Sequence, residues 1–268
     1  MLNQSQAVKN RFDHESQEWF DNYNNEPKSI FQFDLQLRKE LVLETVLDLA
    51  QENEFSRVVE IGCGSCNVIG EIPLKGSQKV GVDLSNKMLE TGKKNYSGIA
   101  LINGDTNFLP FKDDQFDMVL CLGVIQYINS YADAITEISR ILKPDGYLIL
   151  SVPSKHSVFN IYRKLWHHSP MYMFMKSLVY GVLKVDKVIH RLYKMHYFDI
   201  SEVDTILSKK DLKKISGLIH THGIMKTYRM AMLNRMNIKM SKMLERFDNP
   251  SFQKLTGWTY LTVSRKIL

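Results

Sequence analysis

Three cysteines in 268 residues are too few for a disulfide framework and suit a reducing compartment. Cys63 and Cys66 make one C-x-x-C spacing, but no second pair exists to complete a zinc site. Both lie inside a glycine turn, where they read as turn residues rather than as redox or metal chemistry, so no metal is expected. Long apolar runs are missing as well. The most apolar stretch, residues 171–185, is interrupted by Lys176 and Lys184 and is too short to span a bilayer. Residues 1–10 are polar, with no secretory hydrophobic region. Internal repeats and low-complexity tracts are absent too. These absences predict a cytoplasmic protein.

What is present is ordinary in amount and uneven in placement. The chain is 44% hydrophobic and 24% charged, as in a soluble globular protein. Its length favours one domain with an insertion over two independent domains. Residues 1–154 carry 14 Lys and Arg against 22 Asp and Glu, a net of −8. Residues 155–268 carry 21 against 7, a net of +14. A basic second part attracts anionic partners such as phosphorylated metabolites, nucleic acid or acidic lipid.

The pattern predicts an aromatic-bearing amphipathic helix over residues 5–24, then a helix over 34–52 with Asp34 as its N-cap. Strands and helices alternate from there. Strands are expected at 58–61, 79–82 (ending on Asp83), 100–102, 116–122 and 147–152, with helices beginning at 67–72 and spanning 86–96 and 131–142. Pro144-Asp145-Gly146 forms the turn into the fifth strand. This alternation implies a parallel sheet with helices on both faces. Residues 155–195 are basic, aromatic and Met-rich, and read as two or three helices over the carboxyl edge of the sheet. A helix near 201–209 and strands near 214–220 and 258–263 complete the core.

The stretch Glu60-Ile61-Gly62-Cys63-Gly64 organises the rest. A strand that stops on Gly-x-Gly lets backbone N–H groups approach a ligand, since no Cβ intervenes. Such turns hold nucleotide-like cofactors in doubly wound sheets. The dinucleotide fingerprint places a third glycine where Asn67 stands here.

Five segments then fall in order at strand ends: Glu60-x-Gly62-x-Gly64; Val80-Gly81-Val82-Asp83-Leu84-Ser85 with Met88-Leu89; Gly104-Asp105-Thr106 with Leu109-Pro110-Phe111; Phe116-Asp117-Met118-Val119-Leu120; and Ile138-Ser139-Arg140-Ile141-Leu142-Lys143-Pro144-Asp145-Gly146-Tyr147. Together they resemble the class I methyltransferases that use S-adenosylmethionine (SAM), in the small-molecule branch that includes the quinone-methylating type 11 enzymes. Cys66 replaces that family's usual third glycine. The resemblance covers roughly residues 57–153 and implies a Rossmann-like, doubly wound seven-stranded sheet, mostly parallel with an antiparallel last strand, and a helical cap after strand five. The implied division is residues 1–56 as helices over the cofactor site, 57–154 as the SAM-binding core, 155–200 as the cap and 201–268 as completion of the core.

By this resemblance Gly62 and Gly64 form the cofactor turn, and Asp83 accepts the ribose hydroxyls, with Leu84 beside it. Asp105 and Thr106 hold the adenine amino edge, and Met88 packs on its face. Glu60, the backbone at Cys121 and Leu122, and Arg38 orient the methionine end. The implied reaction moves the sulfonium methyl to an O, N or C atom of a small amphipathic or anionic acceptor, leaving S-adenosylhomocysteine. His196, His156 and Tyr23 are the candidate acceptor-side residues, with His167, His168 and Tyr127 behind them. Two other readings are open. One is an RNA methyltransferase using the basic half, although strand four lacks the Asn/Asp-Pro-Pro-Tyr/Phe of base-flipping amine methylation. The other is a non-catalytic SAM-binding partner protein. The cap's mixed aromatic, Met and Lys/Arg content also suits peripheral membrane contact.

Overall fold

Val58, Val59 and Ile61 have no exposed surface and make β1 (Arg57–Ile61), the near-continuous apolar run of a strand buried on both faces. In the computed structural model, which describes residues 4–157, 194–222, 231–247 and 249–267, β1 stands third in a seven-stranded sheet. Its companions are β2 (Gln78–Asp83), β3 (Ile99–Asn103), β4 (Phe116–Leu122), β5 (Leu142–Pro153), β6 (Leu212–His222) and β7 (Gly257–Lys266), in the order β3-β2-β1-β4-β5-β7-β6. The strands from β1 to β5 pair in parallel, and β7 runs antiparallel to both β5 and β6.

The period-2 alternation of side chains divides the core into two layers. Val59, Ile61, Val119, Cys121, Leu148 and Leu150 pack with α5 (Tyr131–Ile141) and α6 (Ile200–Ser208). Val58, Met118, Leu120 and Ile149 pack on the opposite face with α3 (Ile30–Ala50) and α4 (Asn86–Asn95). Glu60 therefore points to the α3 side, toward Arg38.

Several expectations need correction. The helix expected over 5–24 is two helices, α1 (Gln4–His14) and α2 (Ser16–Asn24), separated at Glu15. With that bend, Phe12 and Trp19 meet edge to face at 5.2 Å. The next helix starts at Ile30 and is capped by Ser29, whose hydroxyl accepts from Gln32 N. Asp34 is no cap; it is buried inside α3, where its Oδ1 accepts from Thr259 Oγ1 at 2.7 Å. The crossover helix expected from residue 67 is only a short run of turns, with Gly70 N and Ile72 N bonding four residues back. Pro73 follows at once and disfavours helical backbone at Ile72. Pro144-Asp145-Gly146 is a bulge within β5, with Asp145 at φ +64°. Between β6 and β7 lie two unforeseen helices, α7 (Ala231–Leu244) and α8 (Pro250–Thr256). Most of the expected cap falls on residues 158–193, which lie outside the described residues; the chain returns with His196 N bonded to Gln126 O.

Candidate active site

From β1 the chain winds outward through β2 and β3, then returns to β4 on the other side of β1. Loops diverge at such a switch point and leave a crevice outside the carboxyl ends of the strands. Here a cavity of about 430 Å³ occupies it.

The glycine turn forms the floor. Gly62 has φ +69°, and its N–H, with that of Cys63, donates to Val82 O at 2.7 and 3.0 Å. A Cβ on Gly62 would stand 2.3 Å from Val124 Cγ2. Gly62→Ala is therefore expected to cost roughly 2–4 kcal/mol from left-handed backbone strain and overpacking; a urea midpoint equal to the parent's would contradict this. Gly64, at φ +52°, donates its N–H to Asp83 Oδ2 at 2.8 Å. Cys66 is also left-handed, at φ +63°, and its Sγ lies 3.9 Å from that of Cys63. The contact with Cys66, together with burial, raises the Cys63 thiol well above its ordinary value. Among the described residues, no group of His, Cys, Asp and Glu is placed to hold a metal.

Asp83 ends β2 with Oδ1 on Ser85 N and Oδ2 on Gly64 N, both at 2.8 Å. Burial nonetheless pushes its carboxyl up to about 6, against the two N–H bonds that lower it. Met88, 1% exposed, and Leu84 make the apolar wall beside it. Asp105 and Thr106 stand at the same end, where Asp105 Oδ1 accepts from the backbone N and side-chain Nδ2 of Asn107 at 2.9 and 3.0 Å.

The other end holds Tyr23, Arg38, Glu60 and Leu122. Glu60 is buried, accepts from Ile69 N at 2.9 Å, and is pushed up to about 8, chiefly by desolvation. Arg38 is 6% exposed and donates from Nη2 to the Tyr23 hydroxyl at 2.9 Å. It makes no ion pair among the described residues; Asp34, one turn earlier, acts on it only through its field, and Nε has no partner. Gly123 (φ +70°) makes room for it, since a Cβ there would lie 2.6 Å from Arg38 Nη1. A buried guanidinium held by a neutral phenol and facing a cavity is a site for an anion.

The N-terminal helices roof the cavity with Gln4, Ser5, Val8, Lys9 and Phe12 of α1 and Trp19 and Tyr23 of α2. Gln4 Nε2 ties α1 down to Tyr127 O at 2.8 Å, and Asp13 Oδ1 accepts from Ser85 Oγ at 2.6 Å.

The structure thus gathers Glu60, Gly62, Gly64, Asp83, Leu84, Met88, Asp105, Thr106, Leu122, Arg38 and Tyr23 around one cavity, with Tyr127. His156 and His196 are not among its lining residues. His156 pairs with the Asp199 carboxylate at the start of α6. His196 packs edge-on to Tyr131 at 5.6 Å, its buried Nε2 unpartnered among the described residues. Cys121 sits behind the wall, its thiol pushed up to about 12 by burial. His167 and His168 lie outside the described residues. The sequence placed the helices of residues 1–56 over the site without singling out Phe12, Trp19 or Gln4; aromatic spacing signalled the first two, and nothing signalled Gln4.

Residues 59–150 match the family model described as a methyltransferase domain. The chain is 29% identical over 119 residues to a demethylmenaquinone methyltransferase of Staphylococcus carnosus, covering 42% of this chain and 49% of that one. It is 30% identical over 115 residues to a malonyl-[acyl-carrier protein] O-methyltransferase of Erwinia pyrifoliae, 43% of this chain and 44% of the relative. The matches thus span about half the length of these curated relatives. Among solved structures, magnesium protoporphyrin IX methyltransferase from Synechocystis PCC 6803 with bound SAH superposes with a TM-score of 0.63 at 14% identity. That match covers 98% of this chain and all of the other and shows a shared fold.

Proposed function

We propose, from the premise that the chain carries a class I methyltransferase domain of the type 11 family at residues 59–150, that it is a cytoplasmic enzyme methylating a small amphipathic or anionic metabolite from SAM. The observation that carries this reading is the pairing of opposite needs at the two ends of one cavity. Asp83 offers a carboxylate to hydroxyl donors at one end; Arg38, buried without an ion pair among the described residues, calls for an anion at the other. SAM has a ribose diol and an α-carboxylate at opposite ends of its skeleton, and the glycine turn leaves its backbone open between them.

When bound, SAM supplies an activated methyl on a sulfonium with a good leaving group. The protein's part is then alignment and exclusion of water. Asp83 accepts the ribose hydroxyls; Met88 and Leu84 pack on the adenine, whose amino edge meets Asp105 and Thr106. Arg38 pairs the carboxylate, the Leu122 backbone accepts from the ammonium, and Glu60 acts through its field. Phe12, Trp19 and Tyr23 close the roof. Tyr23 and Tyr127 line the cavity, so these are the groups to test first where the acceptor must lose a proton; His196, bonded to Gln126 O only through its backbone N–H, stands outside the lining. The relatives support a small-molecule acceptor, since their names give demethylmenaquinone and a malonyl group on a carrier protein as what they methylate.

Arg38→Gln separates this reading from a structural role for the arginine. S-adenosylhomocysteine is expected to bind roughly 30-fold more weakly, the worth of a charge-assisted pair. 5′-Methylthioadenosine, which lacks the amino-acid end, should bind within about twofold of the parent value. Equal losses for both ligands, read by calorimetry, would remove Arg38 from the carboxylate site.

A further inference from the structure

The helix α7 (Ala231–Leu244) is inside out. Its buried residues are Asn234, Asn237, Ile238 and Ser241, three of the four polar, while Met232, Met236 and Met243 are 73%, 58% and 54% exposed. A surface helix ordinarily turns its apolar stripe inward. The inward polar face is used: Ser241 Oγ accepts from His222 N at 2.9 Å, and Glu245 Oε1 accepts from Thr221 N at 2.8 Å. Thr221 holds φ +61°, which points successive N–H groups at this helix. The outward methionines have no such employment.

Basic residues are interleaved with them. Arg235 and Lys239 are exposed and fall at helical spacing between Met232, Met236 and Met243; Arg246 extends the same side, followed by Phe247, 54% exposed, while Lys242 turns its ammonium onto the Phe33 ring of α3 at 5.8 Å. Phe247 stacks near Phe252 of α8 at 6.0 Å, which continues the surface to exposed Lys254 and Leu255. The one acid among the described residues of this region, Glu245, is turned inward to the β6 backbone. Four cations (Arg235, Lys239, Arg246 and Lys254) and five large apolar side chains are therefore exposed along α7 and α8, with Asp248, which follows Phe247 in sequence, outside the described residues.

We propose that this α7–α8 face docks on an anionic lipid bilayer. The helix would lie in the interface plane, its Met and Phe side chains at the headgroup–acyl boundary and its Arg and Lys on lipid phosphates. Charge complementarity argues for this occupant over a second copy of the chain, because a two-fold interface would set the same cations against each other. The interleaving argues against a protein partner, whose contact has an apolar centre and a polar rim. Among the described residues no helix is long and apolar enough to cross a membrane, so the contact is peripheral. The +14 net charge of residues 155–268 beside the −8 of residues 1–154 orients the molecule toward an anionic surface.

The test is co-sedimentation of the full chain with vesicles of phosphatidylcholine alone or mixed equally with phosphatidylglycerol. Binding is expected only to the anionic vesicles, and to weaken with salt. Neutralising Arg235→Gln, Lys239→Gln and Arg246→Gln together should weaken it about a hundredfold. Replacing Met232, Met236 and Met243 together by Ser should weaken it about tenfold. SAM titration and thermal midpoint of the same samples should stay at parent values, which separates this proposal from misfolding and from failure of the cofactor reading. The proposal falls if the parent ignores anionic vesicles or binds both kinds equally. It falls also if both triple variants bind like the parent, or if light scattering shows a dimer that the Met variant abolishes.

Discussion

Asp83→Ala is expected to weaken SAM binding by about a hundredfold or more, since a buried carboxylate accepting two hydroxyl donors contributes roughly 1.5–3 kcal/mol per hydrogen bond. The substitution also takes the acceptor away from Gly64 N and Ser85 N, both now bonded at 2.8 Å, so the turn loses its brace together with its ligand contact. Asp83→Asn keeps one acceptor oxygen and should fall between the two. A pH dependence comes with the assignment. Burial holds the Asp83 carboxyl at about 6, so the ionised form that accepts from a diol is depleted below that pH. SAM affinity should be flat above neutrality and drop as pH falls through about 6, approaching tenfold per pH unit well below it. The Asn variant should lack that drop. Unchanged affinity in the Ala variant, measured by calorimetry, would show that Asp83 does not hold the ribose.

Glu60→Gln is expected to stabilise the protein while weakening its ligand. In the fold, burial raises the Glu60 carboxyl from 4.5 to about 8. Between those values the folded state binds more protons than the unfolded chain, so stability falls as pH rises through the window and levels off above it. The side chain is 3% exposed, so solvent screens little of this, and the whole effect is on the order of 5 kcal/mol. The glutamine would keep an oxygen for Ile69 N and carry no charge to desolvate. The variant should therefore match the parent near pH 5 and melt several degrees higher near pH 8, by differential scanning calorimetry without ligand. SAM, whose methionine end is cationic, should bind the variant more weakly. A parent melting point that rises from pH 5 to pH 8 would contradict the charge assignment. A residue that destabilises the empty fold and serves the bound one is the expected pattern at a functional site.

That Glu60, Gly62, Gly64, Asp83, Met88, Asp105 and Thr106 gather at one cavity was legible because each part is local. Glu60 to Gly64, Asp83 to Met88 and Asp105 to Thr106 each sit where an apolar strand stops, and parallel pairing brings those ends together. Phe116–Leu122 came out to the residue, since a strand buried on both faces reads as an unbroken apolar run. Elsewhere distant partners decided. Asp34 is a good capping residue, yet Thr259, 225 positions away, claims its carboxylate and Ser29 takes the cap. His156 follows strand five as expected, but Asp199 holds it. The helix α7 left no usable signal, because its polar residues are the buried ones and the period of apolar residues points the wrong way.

Transfer of a methyl group from SAM to a small molecule is tested in one step by purified protein with methyl-labelled SAM and a cell extract, divided into polar metabolites, lipids and RNA. Label is expected in the metabolite or lipid fraction, and should disappear with Asp83→Ala. Label confined to RNA would instead make the basic half a phosphate-binding surface, and label in no fraction from protein that still binds SAM would contradict catalysis on a metabolite.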